Sequence, residues 1–212
     1  DHFRALESYW SVPGQDNTAE NGDWYESPGY NLLTHLKSDL NGRLPIIAED
    51  LGIITKEVED LRDSFSLAGM KILQFAFDGD ENNLYLPENI KDSNCIVYTG
   101  THDNPTTIEW WNNADEFTRN QVLQRSVAEF DSPSWHLIDL GLACESKLFI
   151  APLQDLLCLG SEARFNKPGT SSGNWDWRIT SSEYSLDYSL DSYGQRAMFW
   201  GRTFEDASSV IT

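Results

Sequence analysis

Residues 95–104 read CIVYTGTHDN, an apolar run that ends in a series of polar side chains. Near-continuous apolar runs are typical of strands that are covered on both faces, as in a parallel sheet. Three further runs of this kind occupy residues 44–48, 70–77 and 148–153, and acidic residues lie close behind each of them. The sequence therefore predicts four buried strands, each followed by a polar segment.

Segments with helical periodicity alternate with these predicted strands. We expect helices over residues 28–40 (with Ser27 as N-cap and Pro28 at the first helical position), from about Thr55, over 114–130, and from Ser132-Pro133 onward. Strand and helix in alternation indicate a parallel α/β architecture. The predicted inward faces of the four helices are Leu32, Leu33, Leu36 and Leu40; Val58, Leu61 and Phe65; Phe117, Val122, Val127 and Phe130; and Trp135, Ile138 and Leu142.

The position of the polar residues favours one α/β architecture over another. An open doubly wound sheet and a (β/α)₈ barrel both fit the alternation. In a barrel the C-terminal strand ends form the active-site face, which matches acidic groups placed just after strands. We therefore expect a (β/α)₈ (TIM) barrel, in a single domain over residues 1–212. The acidic groups concerned are Glu49, Asp50, Asp78, Asp103 and Asp155.

Composition excludes several classes of partner. The formal net charge of −19 repels phosphate backbones and anionic lipid, so we expect neither nucleic acid nor a membrane as partner. The chain has no apolar run of the roughly 18 residues that a membrane span needs. Cys95, Cys144 and Cys158 show no metal-ligand spacing, which indicates reduced thiols and no metal site. No cofactor is called for, and the expected location is cytoplasmic.

Three short segments carry candidate catalytic carboxylates. Glu49 follows a predicted strand, although one member of its Glu49-Asp50 pair could instead cap the next helix. Asp103 and His102 follow the next-but-one strand and could hold sugar hydroxyls, or could simply form a hydrogen-bonded loop. Asp1 opens the chain, and an Asp at a strand end is on its own more often a cap or an ion-pair partner.

Carboxylates at several strand ends suit glycoside cleavage. One carboxylate attacks the anomeric carbon, and a second, protonated one donates to the leaving oxygen. In retaining enzymes the two lie about 5–5.5 Å apart and a covalent glycosyl-enzyme forms. A third carboxylate can bind ring hydroxyls and stabilise the oxocarbenium-like transition state.

Six longer motifs stand out along the chain: DHFRALESYW (1–10), LPIIAEDLGIITKEVEDLRD (44–63), GMKILQFAFD (69–78), NCIVYTGTHDN (94–104), APLQDLLCLGSEARFNKPG (151–169) and GNWDWR (173–178). In this order they resemble the amylomaltase (disproportionating enzyme) family of 4-α-glucanotransferases. This resemblance covers the chain up to Arg178, and it implies a retaining enzyme on a (β/α)₈ barrel. The chain would then supply the C-terminal part of that barrel, about strands 4 or 5 to 8.

The resemblance implies roles for individual residues. Asp1 corresponds to the catalytic nucleophile, Glu49 to the general acid/base and Asp103 to the transition-state stabiliser. Substrate-binding roles fall on His102, Asn104, Asn166 and Trp175.

The implied substrates are neutral glucans. The donor would be a maltooligosaccharide or a glucan derived from starch or glycogen, and the acceptor would be glucose or an oligosaccharide. A plastid location would apply if the source is a plant. Two alternatives stay open: a hydrolase of the α-amylase kind, in which water resolves the intermediate, and a non-catalytic glucan-binding protein.

The chain is also expected to lack the N-terminal part of its protein. The first residue is not Met, and half a barrel would expose two long sheet edges that can mispair. We therefore expect these 212 residues alone to be inactive and poorly soluble.

Overall fold

The computed structural model describes residues 2–91, 93–128, 131–180 and 186–202 of the chain. It is an α/β protein that divides into two compact units, Asp1–Met70 and Lys71–Thr212. The boundary falls within β3 (Gly69–Ile72), the third of the five strands found among the described residues. The prediction of a single domain over 1–212 stays a prediction.

The first unit contains an antiparallel hairpin that the sequence analysis did not predict. Its strands are β1 (Ser8–Ser11) and β2 (Asp23–Glu26), with Tyr9 opposite Tyr25 and Trp10 opposite Trp24. Side chains alternate between the two faces of a strand, so the two Tyr share one face and the two Trp share the other. All four rings are substantially exposed, so the hairpin lacks the buried face by which a strand is recognised.

Two helices cover the core of the first unit. In α2 (Lys56–Ser64), the predicted inward face of Val58, Leu61 and Phe65 is buried, which confirms that prediction. In α1 (Gly29–Asp39) the predicted apolar stripe is confirmed only in part, because Leu33 is fully buried and Leu36 is half-buried, whereas Leu32 and Leu40 are exposed.

The start of α1 explains this difference. The helix begins at Gly29, and Pro28 takes the cap position in place of the predicted Ser27. A Cβ on Gly29 would lie 1.9 Å from the carbonyl oxygen of Leu6, so the backbone packs closely there. This contact orients α1 so that Leu33, four residues later, faces inward, while Leu32 and Leu40 point to solvent.

The predicted strand over residues 44–48 is reduced to a single bridge. Ile47 pairs in parallel with Ala68, and the Ala48 N–H donates to the Ala68 carbonyl at 2.8 Å. Pro45 has no N–H to donate, which limits the ladder on its N-terminal side. Only Ala48 of this run is buried, so the prediction of a buried strand is wrong here.

A three-stranded sheet has the order β3-β4-β5, and in the second unit β4 (Cys95–Tyr98) runs parallel to β5 (Leu148–Ile150). The predicted strands at 95–99 and 148–153 are confirmed in position, although β5 gives way to helix α6 (Leu153–Leu156). The predicted strand at 70–77 ends at Ile72, where a 3₁₀ turn (Leu73–Phe75) begins.

Three helices connect β4 to β5: α3 (Thr107–Asn113), α4 (Glu116–Arg125) and α5 (Pro133–Ala143). The predicted helix over 114–130 is wrong in extent. Asp115 starts a new helix by accepting from the Thr118 N–H at 2.7 Å, and α4 ends at Arg125.

The inward faces of these helices agree only in part with the sequence analysis. Val122 is buried as predicted, whereas Phe117 and Val127 are exposed. The predicted position of Phe130 lies outside the described residues. Helix α5 is buried on almost all sides, and its predicted face is confirmed; it comprises Trp135, Ile138 and Leu142.

Helix α7 (Leu186–Phe199) is tied to α5 by polar contacts. The Arg196 guanidinium and the Trp200 indole N–H both donate to the Asp139 carboxylate, which is buried in α5. Arg202 donates to the carbonyl oxygen of Leu142, in the last turn of α5, and to those of Cys144 and Ser146, which follow the helix. Across the described residues, no helix is both long and apolar enough to cross a membrane.

Candidate functional site

The loop after β4 is a tight turn that presents His102 and Asp103. The side-chain oxygen of Asn104 accepts from both the N–H and the hydroxyl of Thr101, each at 2.8 Å. The Asn104 oxygen is therefore used inside the loop. This contact explains why Asn belongs at this position even without a substrate.

The carboxylate of Asp103 is partly exposed to solvent. Its Oδ1 accepts from the amide of Asn166 at 2.5 Å and lies 3.4 Å from Nε2 of His102. Nearly half of its side-chain surface is exposed, at 45%. The carboxylate is thus fixed on one oxygen and open to a ligand from solvent.

Trp175 places an aromatic ring beside this carboxylate. Its ring centroid lies 5.0 Å from that of His102 and 4.9 Å from that of Phe165. Its backbone has φ +64°, a left-handed conformation that a bulky residue adopts only under tertiary constraint. Its N–H donates to the Phe165 carbonyl at 2.7 Å, which supplies such a constraint. The structure therefore brings together four predicted site residues: His102, Asp103, Asn166 and Trp175.

Arg164 is a site residue that the sequence analysis did not single out. Its Nη2 donates to the Asp103 carbonyl and its Nε to the Asn166 carbonyl, both at 3.0 Å, and its Nη1 lies 3.4 Å from the Glu109 carboxylate. One planar guanidinium thus ties the backbones of Asp103 and Asn166 together. The signal in the sequence was its position two residues before Asn166, inside a motif already recognised.

Two carboxylates that follow predicted strands are buried and structural. Asp155, 1% exposed, accepts from the Thr99 hydroxyl at 2.5 Å and from the N–H and hydroxyl of Thr107 at 2.7 and 2.8 Å. Burial raises the pKa of Asp155, and these hydrogen bonds oppose that rise. Asp50 is bound by Arg62 at 2.5 Å and by the Met70 N–H at 2.7 Å. Both carboxylates are buried and are bound by donors from the protein itself.

Glu49 lies in the first unit, in a different setting from its neighbour Asp50. Its Oε2 accepts from the His2 N–H at 3.0 Å, and its carbonyl accepts from the Phe3 N–H at 3.0 Å. Its side chain borders a cavity of about 720 Å³ with a largely apolar lining. The lining residues are His2, Arg4, Ala5, Ser8, Tyr9, Trp10, Trp24, Glu49, Leu51 and Ile53.

The predicted nucleophile, Asp1, lies outside the described residues. Among the residues that are described, no three His, Cys, Asp or Glu side chains come together as a metal site.

Comparison with known proteins gives consistent results. The family model described as 4-alpha-glucanotransferase matches residues 1–183. The chain is 46% identical over 203 residues to a 4-alpha-glucanotransferase of Synechocystis, covering 92% of this chain and 40% of that protein. It is 43% identical to the chloroplastic/amyloplastic 4-alpha-glucanotransferase of Arabidopsis thaliana, covering 86% of this chain and 31% of that protein.

The fold is similar to that of an amylomaltase from Streptococcus agalactiae solved in complex with acarbose. The TM-score is 0.85 at 32% identity, over 95% of this chain and 41% of that one. The chain thus spans well under half the length of these relatives. Because the family model covers most of its residues, the chain belongs to the 4-alpha-glucanotransferase family.

Proposed function

We propose that the protein transfers α-1,4-glucan segments to the 4-OH of an acceptor sugar by a retaining double displacement through a covalent glycosyl-enzyme. The observation that carries this proposal is the half-exposed carboxylate of Asp103. The Asn166 amide holds it at 2.5 Å, and an exposed indole stands nearby. A carboxylate fixed before substrate arrives can stabilise positive charge without reorganising in the transition state. Family membership supports the same reaction.

Each proposed residue has a separate part in this reaction. Asp1 attacks the anomeric carbon, a role that rests on the family resemblance alone. Glu49 gives a proton to the leaving oxygen and later takes one from the acceptor. Asp103 stabilises the oxocarbenium-like transition state. The residues that bind the donor sugar are His102, Asn166 and Trp175, while Asn104 holds the loop.

The proposal extends to architecture and location. The units belong to one catalytic domain, a (β/α)₈ barrel to which this chain contributes the C-terminal part. The parallel pair β4 and β5, joined through three helices, supports this arrangement. A cytoplasmic or plastid location is consistent with the plastid naming of the Arabidopsis relative.

The proposed substrates are maltooligosaccharides or glucans derived from starch or glycogen as donors, with glucose or oligosaccharides as acceptors. The acarbose complex of the similar amylomaltase supports a sugar ligand for this fold. Neutral substrates also suit a chain with a formal charge of −19, which repels anionic ones.

Product analysis tests the reaction type. The full-length protein is incubated with maltotriose, with and without added glucose, and the products are separated by length. Transfer produces a ladder of oligosaccharides longer than the substrate, and glucose shifts that ladder toward shorter products. A hydrolase of the α-amylase kind would give only shorter products, and a glucan-binding protein would leave maltotriose intact. Either result would overturn the proposal.

Arg164→Met tests whether Arg164 positions Asp103. Loss of its two carbonyl contacts lets the Asp103 and Asn166 backbones move apart, so we expect kcat to fall roughly 10²-fold, as for misplacement by about 1 Å. KM for the donor should change much less. Arg164→Lys keeps the charge but not the planar fork, and should recover only part of the loss. If kcat is unchanged while thermal stability falls, Arg164 is merely structural.

A further inference from the structure

One wall of the cavity beside Glu49 is formed by residues to which the proposed reaction assigns no role. Trp24 and Trp10 face it from the hairpin, with ring centroids 5.3 Å apart in an edge-to-face arrangement. Trp24 remains 52% exposed, and the Trp10 indole N–H is already bound to the Ala19 carbonyl at 2.8 Å. Two indoles whose apolar surface faces an open, mostly apolar cavity form a platform of the kind found in ligand sites.

The Trp24 ring is held in place before any ligand arrives. The guanidinium of Arg4 lies 4.2 Å from its ring centroid, in a cation–π contact. Arg4 is itself fixed by donating from Nη1 to the Ile53 carbonyl at 2.5 Å. A ring already restrained in this way loses little entropy on binding.

Glu49 identifies which part of the substrate this cavity would take. The donor sugar is proposed to contact His102, Asn166 and Trp175, none of which lines this cavity. As general acid/base, Glu49 exchanges its proton with the bridging oxygen, which belongs to the leaving-group sugar in the first step and to the acceptor in the second, so a sugar that touches Glu49 in this cavity would be one of these two. We propose that Trp24 and Trp10 form the binding platform for the acceptor and leaving-group sugars. This inference rests on the proposed function.

The chemistry of the second half-reaction fits this placement. The acceptor O4 forms a bond to the anomeric carbon as the ester bond to the nucleophile breaks, and the O4 proton passes to the Glu49 carboxylate. The acceptor must therefore reach Glu49 with its 4-OH. Packing its apolar CH face on an indole would orient the sugar while leaving its 4-OH free to reach Glu49.

The test separates acceptor binding from the first chemical step. In the full-length protein, α-maltosyl fluoride serves as donor because fluoride leaves without occupying a sugar site. Transfer to maltotriose is then measured as a function of maltotriose concentration. Trp24→Ala should raise KM for maltotriose roughly tenfold, the effect of losing one aromatic contact. The kcat/KM for fluoride release should be unchanged, which also shows that the variant is folded.

Tyr25→Ala is the matched control. Tyr25 is the next residue in β2 and is equally exposed at 52%, but unlike Trp24 it does not line the cavity. Tyr25→Ala should leave both measurements unchanged, and Trp24→Phe should restore part of the acceptor affinity.

An unchanged maltotriose KM in Trp24→Ala, or the same increase in Tyr25→Ala, would overturn the inference. A parallel loss of fluoride release would do so too. A wild-type protein that neither releases fluoride nor transfers sugar would instead refute the proposed function.

Discussion

Glu49→Gln is expected to lower the turnover of maltooligosaccharides by about 10²- to 10⁴-fold, the range that one general acid/base contributes. Gln has the same shape and can still accept from the His2 N–H, so the local backbone should be preserved. It cannot give a proton to the leaving oxygen or take one from the acceptor. Glucan binding should therefore stay largely intact, which titration of the full-length variant with maltotriose would measure.

A matched control separates this effect from a simple change of charge. Glu20→Gln makes the same substitution at an exposed position in the same unit and should leave turnover unchanged. A fluoride donor refines the test, because fluoride needs no proton to leave. With α-maltosyl fluoride, Glu49→Gln should still release fluoride in the first step and then transfer slowly. Normal turnover of maltotriose in Glu49→Gln would rule out the proposed acid/base role.

Asp155→Ala is expected to lower the free energy of unfolding by about 3–5 kcal/mol. The substitution removes the acceptor for three donors, the Thr99 hydroxyl and the N–H and hydroxyl of Thr107. Each buried donor left without a partner costs about 1–3 kcal/mol. Urea unfolding of the full-length protein would measure the loss. Asp176→Ala, at an exposed position in the same unit, should change stability little.

The same carboxyl makes stability depend on pH. Burial raises the folded-state pKa of Asp155 above its ordinary value of 3.8. Between that value and the raised pKa, the folded state binds more protons than the unfolded state, so this contribution to stability falls as pH rises. It is fully present below 3.8 and is lost as pH passes through the folded pKa. Asp155→Asn has no carboxyl to titrate at this position. The free energy of unfolding of the wild type should therefore fall, relative to that of the variant, as pH rises through this range. A difference independent of pH would contradict the assignment.

The sequence predicts those elements of the fold whose burial follows a simple period. Helices α2 and α5 were recognised because residues such as Val58 and Ile138 recur at helical spacing and are buried. The hairpin was missed because its rings are exposed on both faces, so no apolar alternation marks it. The failure at α1 has a tertiary cause, the close contact between Gly29 and Leu6.

The candidate site was predicted at the level of segments rather than of individual carboxylates. Glu49-Asp50 and Asp155 all follow predicted strands, and local sequence does not show which of them is buried. That depends on partners distant in the chain. Asp50 is bound by Arg62, and Asp155 by Thr107, 48 residues away. The motif resemblance separated Glu49 from Asp50, which periodicity could not do.

The contact between Arg202 and the end of α5 bears on the order in which the protein becomes stable during synthesis. The last carbonyls of a helix have no partner within it and need an outside donor. For α5 that donor is a guanidinium about 60 residues further along the chain, which bonds the carbonyls of Leu142, Cys144 and Ser146. A ribosome that has released α5 but not Arg202 therefore carries a helix whose Leu142 carbonyl has not yet gained this donor. The second unit can reach its final stability only after its last described residue has been made.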